Sequence, residues 1–234
     1  MWGNPRLLQA AAGFLVGLAL LGFTAAALHQ LLRPELLPLR HIELTEPTAH
    51  VTPAQVRAAV RPRVAGSFLA ADLSAVRASV EALPWVRRAS VRRVWPDRLE
   101  ISIEEHVALA RWGERELVNT FGERFAGAAE TTLPLFVAPP GTEAELALRY
   151  RSFAAALAPL GTSLERVVLT QRFAWQLRLA NGLHLMLGRD GQQAEARLRR
   201  FVAVYPSLER KQHHEYVDLR YPNGFAMRQP GTGS

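Results

Sequence analysis

The sequence predicts an α+β protein on a single N-terminal transmembrane helix, with a small β-α-α-β-β domain followed by a mixed α+β domain with a mainly antiparallel sheet. Three observations predict it. Leu7 to Leu32 contains no Asp, Glu, Lys or Arg. Two alternating apolar runs flank Trp95-Pro96-Asp97. Beyond residue 107, short apolar runs bounded by Gly and Pro are interleaved with two stretches of helical periodicity.

The apolar run comes first. Ala10 to Leu28 holds only Thr24 as a polar side chain, and 19 helical residues at about 1.5 Å each span one hydrocarbon core. Trp2 is placed for the interface. The rival reading is a cleavable signal peptide, with Arg6 as its basic region and Ala25-Ala26-Ala27 as a small-residue cleavage site. The run is long for a signal and continues through Leu31 and Leu32, so an uncleaved anchor over 10–32 is preferred. Arg6 on one side against Arg33 and Arg40 on the other leaves the orientation open by charge alone. Residues 33–38, with Pro34 and Pro38, read as a short stem.

Composition narrows the possible classes. The chain has 234 residues, 49% hydrophobic and 21% charged, enough for one or two modest domains and unlike a disordered or collagenous chain. It has no cysteine, which excludes disulfides, thiolate metal sites and a cysteine nucleophile. The net charge is +7, and 27 of its 28 basic residues are arginine. Such a surface serves nucleic acid, anionic lipid or an acidic partner, and genome composition produces the same bias.

Residues 39–106 form the first folded unit. Leu39 to Leu44 reads as a strand. Thr52-Pro53 starts a helix with Val56, Ala59 and Val60 at helical spacing, and Gly66 is taken as its end. Asp72 or Ser74 caps a second helix carrying Leu73, Val76, Val80 and Leu83, stopped at Pro84. A hairpin comes next. Ala89, Val91 and Arg93 share one face, as do Leu99, Ile101 and Ile103. A three-residue loop pairs Val94 with Arg98, hence Val91 with Ile101, Ala89 with Ile103, and Arg92 with Glu100 on the wet face.

Residues 107–228 form the second. Leu117-Val118, Phe125 and Leu135 to Val137 read as short strands. Leu146, Tyr150, Phe153, Leu157 and Leu160 mark a helix, and Leu164 to Thr170 a strand. Around Ala180-Asn181-Gly182, a three-residue loop pairs Leu179 with Leu183, Leu177 with Leu185 and Trp175 with Leu187. Ala194, Leu198, Phe201, Val202 and Tyr205 form a helix stripe ending at Pro206. The last strand runs from Tyr216 to Tyr221, and residues 229–234 are a loose tail.

Catalytic signals are absent. Glu104 and Glu105 on a strand point to opposite faces and cannot act as a pair. His213-His214 lacks the ligand spacing of a metal site, and no phosphate loop or Gly-x-Ser-x-Gly is present. No cofactor and no metal site is read from these residues. The basic cluster Arg87, Arg88, Arg92, Arg93 is split between two faces of a strand, which argues against a nucleic-acid groove.

The run Leu83-Pro-Trp-Val-Arg-Arg-Ala-Ser-Val-Arg-Arg-Val-Trp-Pro-Asp-Arg-Leu99, with Glu105-His106 and Ala110-Arg-Trp112, resembles the FtsQ/DivIB family of bacterial division proteins. So do Leu117-Val-Asn119, Gly122-Glu-Arg-Phe125 and Tyr216-Val-Asp-Leu-Arg-Tyr-Pro-Asn-Gly224. The resemblance implies a cytoplasmic tail over 1–9, one inner-membrane helix, a POTRA domain over 39–106 and a β domain over 107–228 on the periplasmic side. It implies a non-enzymatic divisome scaffold, enriched at the septum, that recruits the FtsB–FtsL pair. By position the family's partner site falls on Arg172, Tyr221, Asn223, Gly224, Phe225 and Met227. Arg88, Val91 and Arg93 of the POTRA hairpin fall where recruitment is expected. A terminal strand edge would receive the partner by β-augmentation, with Arg172 pairing an acidic residue. The alternative is a POTRA-containing component of an outer-membrane assembly or secretion system, which should carry repeated POTRA units or a barrel. A cell-wall enzyme is a third class, without a supporting constellation.

Overall fold

The computed structural model describes residues 5–31, 39, 41–64, 68, 71–128, 132–209, 214–221 and 224–228. The first helix, α1 (Pro5–Leu31), includes Gln9–Gln30, the one segment among the described residues long and apolar enough to cross a membrane. At about 1.5 Å per residue its 22 residues reach about 33 Å. The chain divides into two compact units between Glu105 and His106.

In the first unit the order after α1 is β1 (His41–Leu44), α2 (Pro53–Val60), α3 (Leu73–Glu81), β2 (Val86–Val94) and β3 (Arg98–Glu105). The sheet order is β1-β3-β2, with β1 parallel to β3. Thr52 caps α2 in a capping box with Gln55, and Asp72 caps α3 through the amides of Ser74 and Ala75. The helices bury Val56, Val60, Val76 and Val80 against Val86, Ala89 and Ile101. Helix α2 stops at Val60 and gives way to a 3-10 turn, Arg61–Arg63, before Gly66, which lies outside the described residues. Pro62 has no N–H to donate to Ala58, so the α ladder cannot continue.

The hairpin register is the one its alternation predicts: Val94 pairs with Arg98, Val91 with Ile101, and Ala89 with Ile103. Arg92 meets Glu100 at 2.7 Å. Glu104 and Glu105 do part company. Glu104 pairs with Arg87 at 2.6 Å, while Glu105 accepts the backbone N–H groups of Ala49, His50 and Val51 at 2.8, 2.9 and 2.9 Å. Burial pushes the Glu105 carboxyl up, but those amides and the nearby His50 together hold it below the ordinary value. His50 also stacks on Trp85, with ring centroids 3.7 Å apart. Trp85 lies in the left-handed region at φ +73°, where a non-glycine residue is strained, and makes the reversal from α3 into β2.

The second unit holds β4 (Ala108–Trp112), β5 (Glu116–Asn119), β6 (Arg124–Ala126), β7 (Leu135–Val137), α4 (Glu143–Leu157), β8 (Leu164–Leu169), β9 (Trp175–Leu179), β10 (His184–Gly188), α5 (Gly191–Glu209), β11 (Tyr216–Asp218) and β12 (Ala226–Arg228). Its sheet order is β12-β11-β10-β9-β8-β7-β4-β5-β6, with five antiparallel and three parallel pairings. Phe153, Trp175, Leu198, Phe201 and Tyr205 form the centre of its core, all buried.

Three expectations are corrected in this unit. Trp175 pairs with Gly188, not Leu187, because a bulge inserts a residue between Met186 and Gly188, whose φ is +89°. Helix α5 runs through Pro206 to Glu209. The proline removes only its own N–H, buried Tyr205 fixes the turn before it, and the Ser207 hydroxyl donates to the Val204 carbonyl at 2.7 Å. The last predicted strand ends at Asp218 rather than Tyr221. There the Arg220 N–H turns back to the Asp218 carboxylate at 3.0 Å and breaks the ladder.

Candidate functional site

The C-terminal margin of the nine-stranded sheet gathers most of the residues singled out from sequence. Strand β11 is occupied on both sides, parallel to β10 and antiparallel to β12. The free margin is therefore β12, whose three residues are all exposed and whose outer side no described strand covers. Tyr216 faces Arg228 across this pair, and the guanidinium lies 5.4 Å from the ring centroid. Burial, followed by the Asp218 charge, raises the Tyr216 phenol above its ordinary value.

Asp218 is the buried anchor of this corner. It accepts from Arg220 Nε at 2.9 Å and from Nη2 at 2.6 Å, as well as from the backbone N–H. The Arg220 side chain is the main cause that holds the Asp218 carboxyl below its usual range, and Asp218 in turn raises Arg220. The clamp fixes the bend after β11. Immediately beyond it, Tyr221 projects outward, 54% exposed. It is not the core aromatic that its strand position allows.

Arg172 sits exposed in the turn between β8 and β9. Thr170 builds that turn: its carbonyl accepts from Phe173 N–H at 2.8 Å, and its hydroxyl accepts from Ala174 N–H at 3.0 Å. An open groove of about 500 Å³ joins Arg172 to Gln171, Gln176, Arg189 and Arg220. Arg189 and Arg220 are not legible in the sequence as site residues. Arg189 comes after the unpredicted bulge, and Arg220 reads as one more strand residue. The groove concentrates three guanidinium groups, one of them already paired to Asp218, and suits a carboxylate-bearing segment.

The remaining candidates divide. Gly224 is exposed, and Met227 is 37% exposed on β12. Phe225 is half-buried, its ring edge-on to Phe201 at 5.5 Å, so it pins the start of β12 to α5. Asn223 lies outside the described residues. In the hairpin, Arg88 is exposed, Val91 packs partly against the first core, and Arg93 donates to the carbonyls of Phe68 and Ala71. Among the described residues no group of His, Asp and Glu could hold a metal ion.

A helix able to anchor in a membrane, a βααββ unit and a mixed sheet with an open terminal strand define the class: a membrane-anchored POTRA protein with an appended β domain. The comparisons agree. Residues 37–106 match the family model of the FtsQ-type POTRA domain, and residues 110–220 that of the C-terminal part of the cell division proteins FtsQ/DivIB. A cell division protein FtsQ of Burkholderia pseudomallei is 41% identical, covering 99% of this chain and 95% of its own. That of Nitrosospira multiformis is 39% identical over 97% and 99%, and that of Neisseria gonorrhoeae 28% over 100% and 97%. The chain belongs to the FtsQ/DivIB family of cell division proteins. It is thus a membrane-anchored divisome protein, and its partners are other proteins of the divisome.

Proposed function

We propose that this protein is a non-enzymatic, single-pass inner-membrane scaffold, with its N-terminus cytoplasmic and both folded units periplasmic. At the septum it links the FtsB–FtsL pair to the divisome by β-augmentation on β12. The observation that carries the reading is the open β12 edge, its three residues exposed, beside exposed Tyr221. An incoming strand gains main-chain hydrogen bonds from such an edge without any rearrangement of the sheet. Arg172, with Arg189 and Arg220 around the same groove, receives an acidic side chain of the partner. Tyr221 and Met227 supply apolar area, and Phe225 holds the edge in place from behind. In the first unit, exposed Arg88 is the recruiting contact, while Val91 and Arg93 maintain the hairpin that presents it.

A pull-down from solubilised membranes tests the reading. The wild-type chain should recover small bitopic coiled-coil proteins, and Arg172→Glu should lose them. Normal recovery by Arg172→Glu would remove the arginine anchor. Recovery of an outer-membrane barrel in place of the bitopic proteins would overturn the scaffold itself.

A further inference from the structure

The tip of the β2–β3 hairpin carries Trp95 with 77% of its surface exposed, the highest exposure among the described large apolar residues, those of α1 included. Nothing in the β12 partner site uses it. Its place in the topology is informative. Strand β1 runs parallel to β3 with His41 beside Arg98, and the His41 N–H donates to the Asp97 carbonyl at 3.2 Å. The chain therefore enters this unit at the hairpin tip. Only nine residues separate the end of α1 at Leu31 from His41. Fully extended, the ten steps from Leu31 to His41 span at most about 36 Å. The tip of the hairpin is thus tethered within that distance of the point where α1 leaves the hydrocarbon.

The unit also carries exposed cations close in sequence to the tip-side contacts. Arg61 and Arg63 follow the C-terminal end of α2, and five residues beyond Arg63 the Phe68 carbonyl accepts from Arg93, near the end of β2, at 3.0 Å. Among the described residues Arg61 and Arg63 are exposed and have no acidic partner. Of the other charges near the tip, Arg92 pairs with Glu100 and Arg98 with Glu43, Asp72 caps α3, and Asp97 lies 3.6 Å from the His41 ring. An exposed indole at the tip of a unit that also carries unmatched arginines, on a short tether to the membrane helix, has the chemistry of an interfacial anchor. Tryptophan favours the headgroup level, and arginine favours anionic lipid.

We infer that Trp95, at the hairpin tip, inserts into the headgroup region of the bilayer that holds α1, with Arg61 and Arg63 on anionic headgroups. The unit then docks on the membrane with its sheet end down, instead of swinging freely on the stem. The inference rests on the membrane anchor and is independent of the β12 reading.

Because the chain has no cysteine, single thiols can be placed without background. Full-length Trp95→Cys and Ala82→Cys, each carrying a nitroxide, are reconstituted in phosphatidylethanolamine–phosphatidylglycerol vesicles. Ala82 lies just past α3 at the opposite end of the unit. The label at 95 should collide more with oxygen than with a water-soluble nickel chelate, by at least threefold relative to the label at 82. Replacing the anionic lipid with phosphatidylcholine should shrink that ratio. In bilayers with brominated acyl chains, the wild type should lose more tryptophan emission than Trp95→Ser. Equal bromine quenching in wild type and Trp95→Ser would overturn membrane docking. An unchanged ratio in phosphatidylcholine would overturn the role of Arg61 and Arg63.

Discussion

Replacing Tyr221 with alanine separates binding from folding cleanly, because the side chain already stands outside the core. About 54% of its surface is exposed. A tyrosine that buries about 200 Å² in full would therefore bring about 110 Å² to an interface. At about 25 cal/mol per Å² this is about 2.7 kcal/mol, and the cost of desolvating the hydroxyl brings it to about 2. The partner's dissociation constant should rise about 30-fold. Titration calorimetry with a soluble part of the proposed partner, the FtsB–FtsL pair, measures it, and the unfolding free energy of the same variant from denaturant titration should change by less than about 0.5 kcal/mol. An unchanged dissociation constant would place Tyr221 outside the interface. A loss of affinity accompanied by an equal loss of stability would show that the residue acts through the fold.

The first unit offers a sharper local test. Glu105→Gln keeps one carbonyl oxygen where two carboxylate oxygens now serve three amides, so at least one charge-assisted bond is lost, worth about 1.5–3 kcal/mol. Hydrogen exchange at Ala49, His50 and Val51 should quicken at least tenfold. The folded carboxyl lies below the unfolded one, so its contribution is complete above the ordinary glutamate range, about pH 4.3, and is lost as pH falls through the lower folded value. Wild type should therefore lose more stability than Glu105→Gln on acidification below that range. In the second unit, a Cβ on Gly122 at φ +81° would stand 2.3 Å from the Cα of Ala144, whereas one on Gly113 at φ +64° meets nothing within 4 Å. Gly122→Ala should cost about 2–5 kcal/mol in denaturant unfolding and Gly113→Ala about 1–2.

Much of the fold is legible in the sequence where a side-chain period meets a fixed loop length. The hairpin from Arg88 to Glu104 is the clearest case: three loop residues and two alternating faces admit one register, which shifts by one only at its base, between Val86 and Arg88. The second hairpin obeys the same logic as far as Leu177 and Leu185. It then fails at Trp175, because a bulge changes the count without changing the pattern of apolar residues. Pro206 misleads for a related reason. Proline forbids one hydrogen bond, but tertiary burial of Tyr205 keeps the helix going. Strand β12 is the hardest element to read. All three residues face water, so no alternation marks it, and only its ladder with β11 makes it a strand. The site inherits that difficulty. Arg172 and Tyr221 come from motif position, but their exposure depends on the Thr170 turn and the Asp218–Arg220 clamp. Residue types alone reveal neither.

The most direct test asks whether β12 gains a neighbour. Amide hydrogen exchange over Ala226–Arg228 should be compared for the protein alone and with its proposed partner, the FtsB–FtsL pair, bound. β-Augmentation predicts that the amides facing away from β11 exchange at least tenfold more slowly in the complex, matched by slowed amides in one partner segment. Unchanged exchange along β12 in an intact complex would contradict it, and the partner would have to bind through side chains elsewhere.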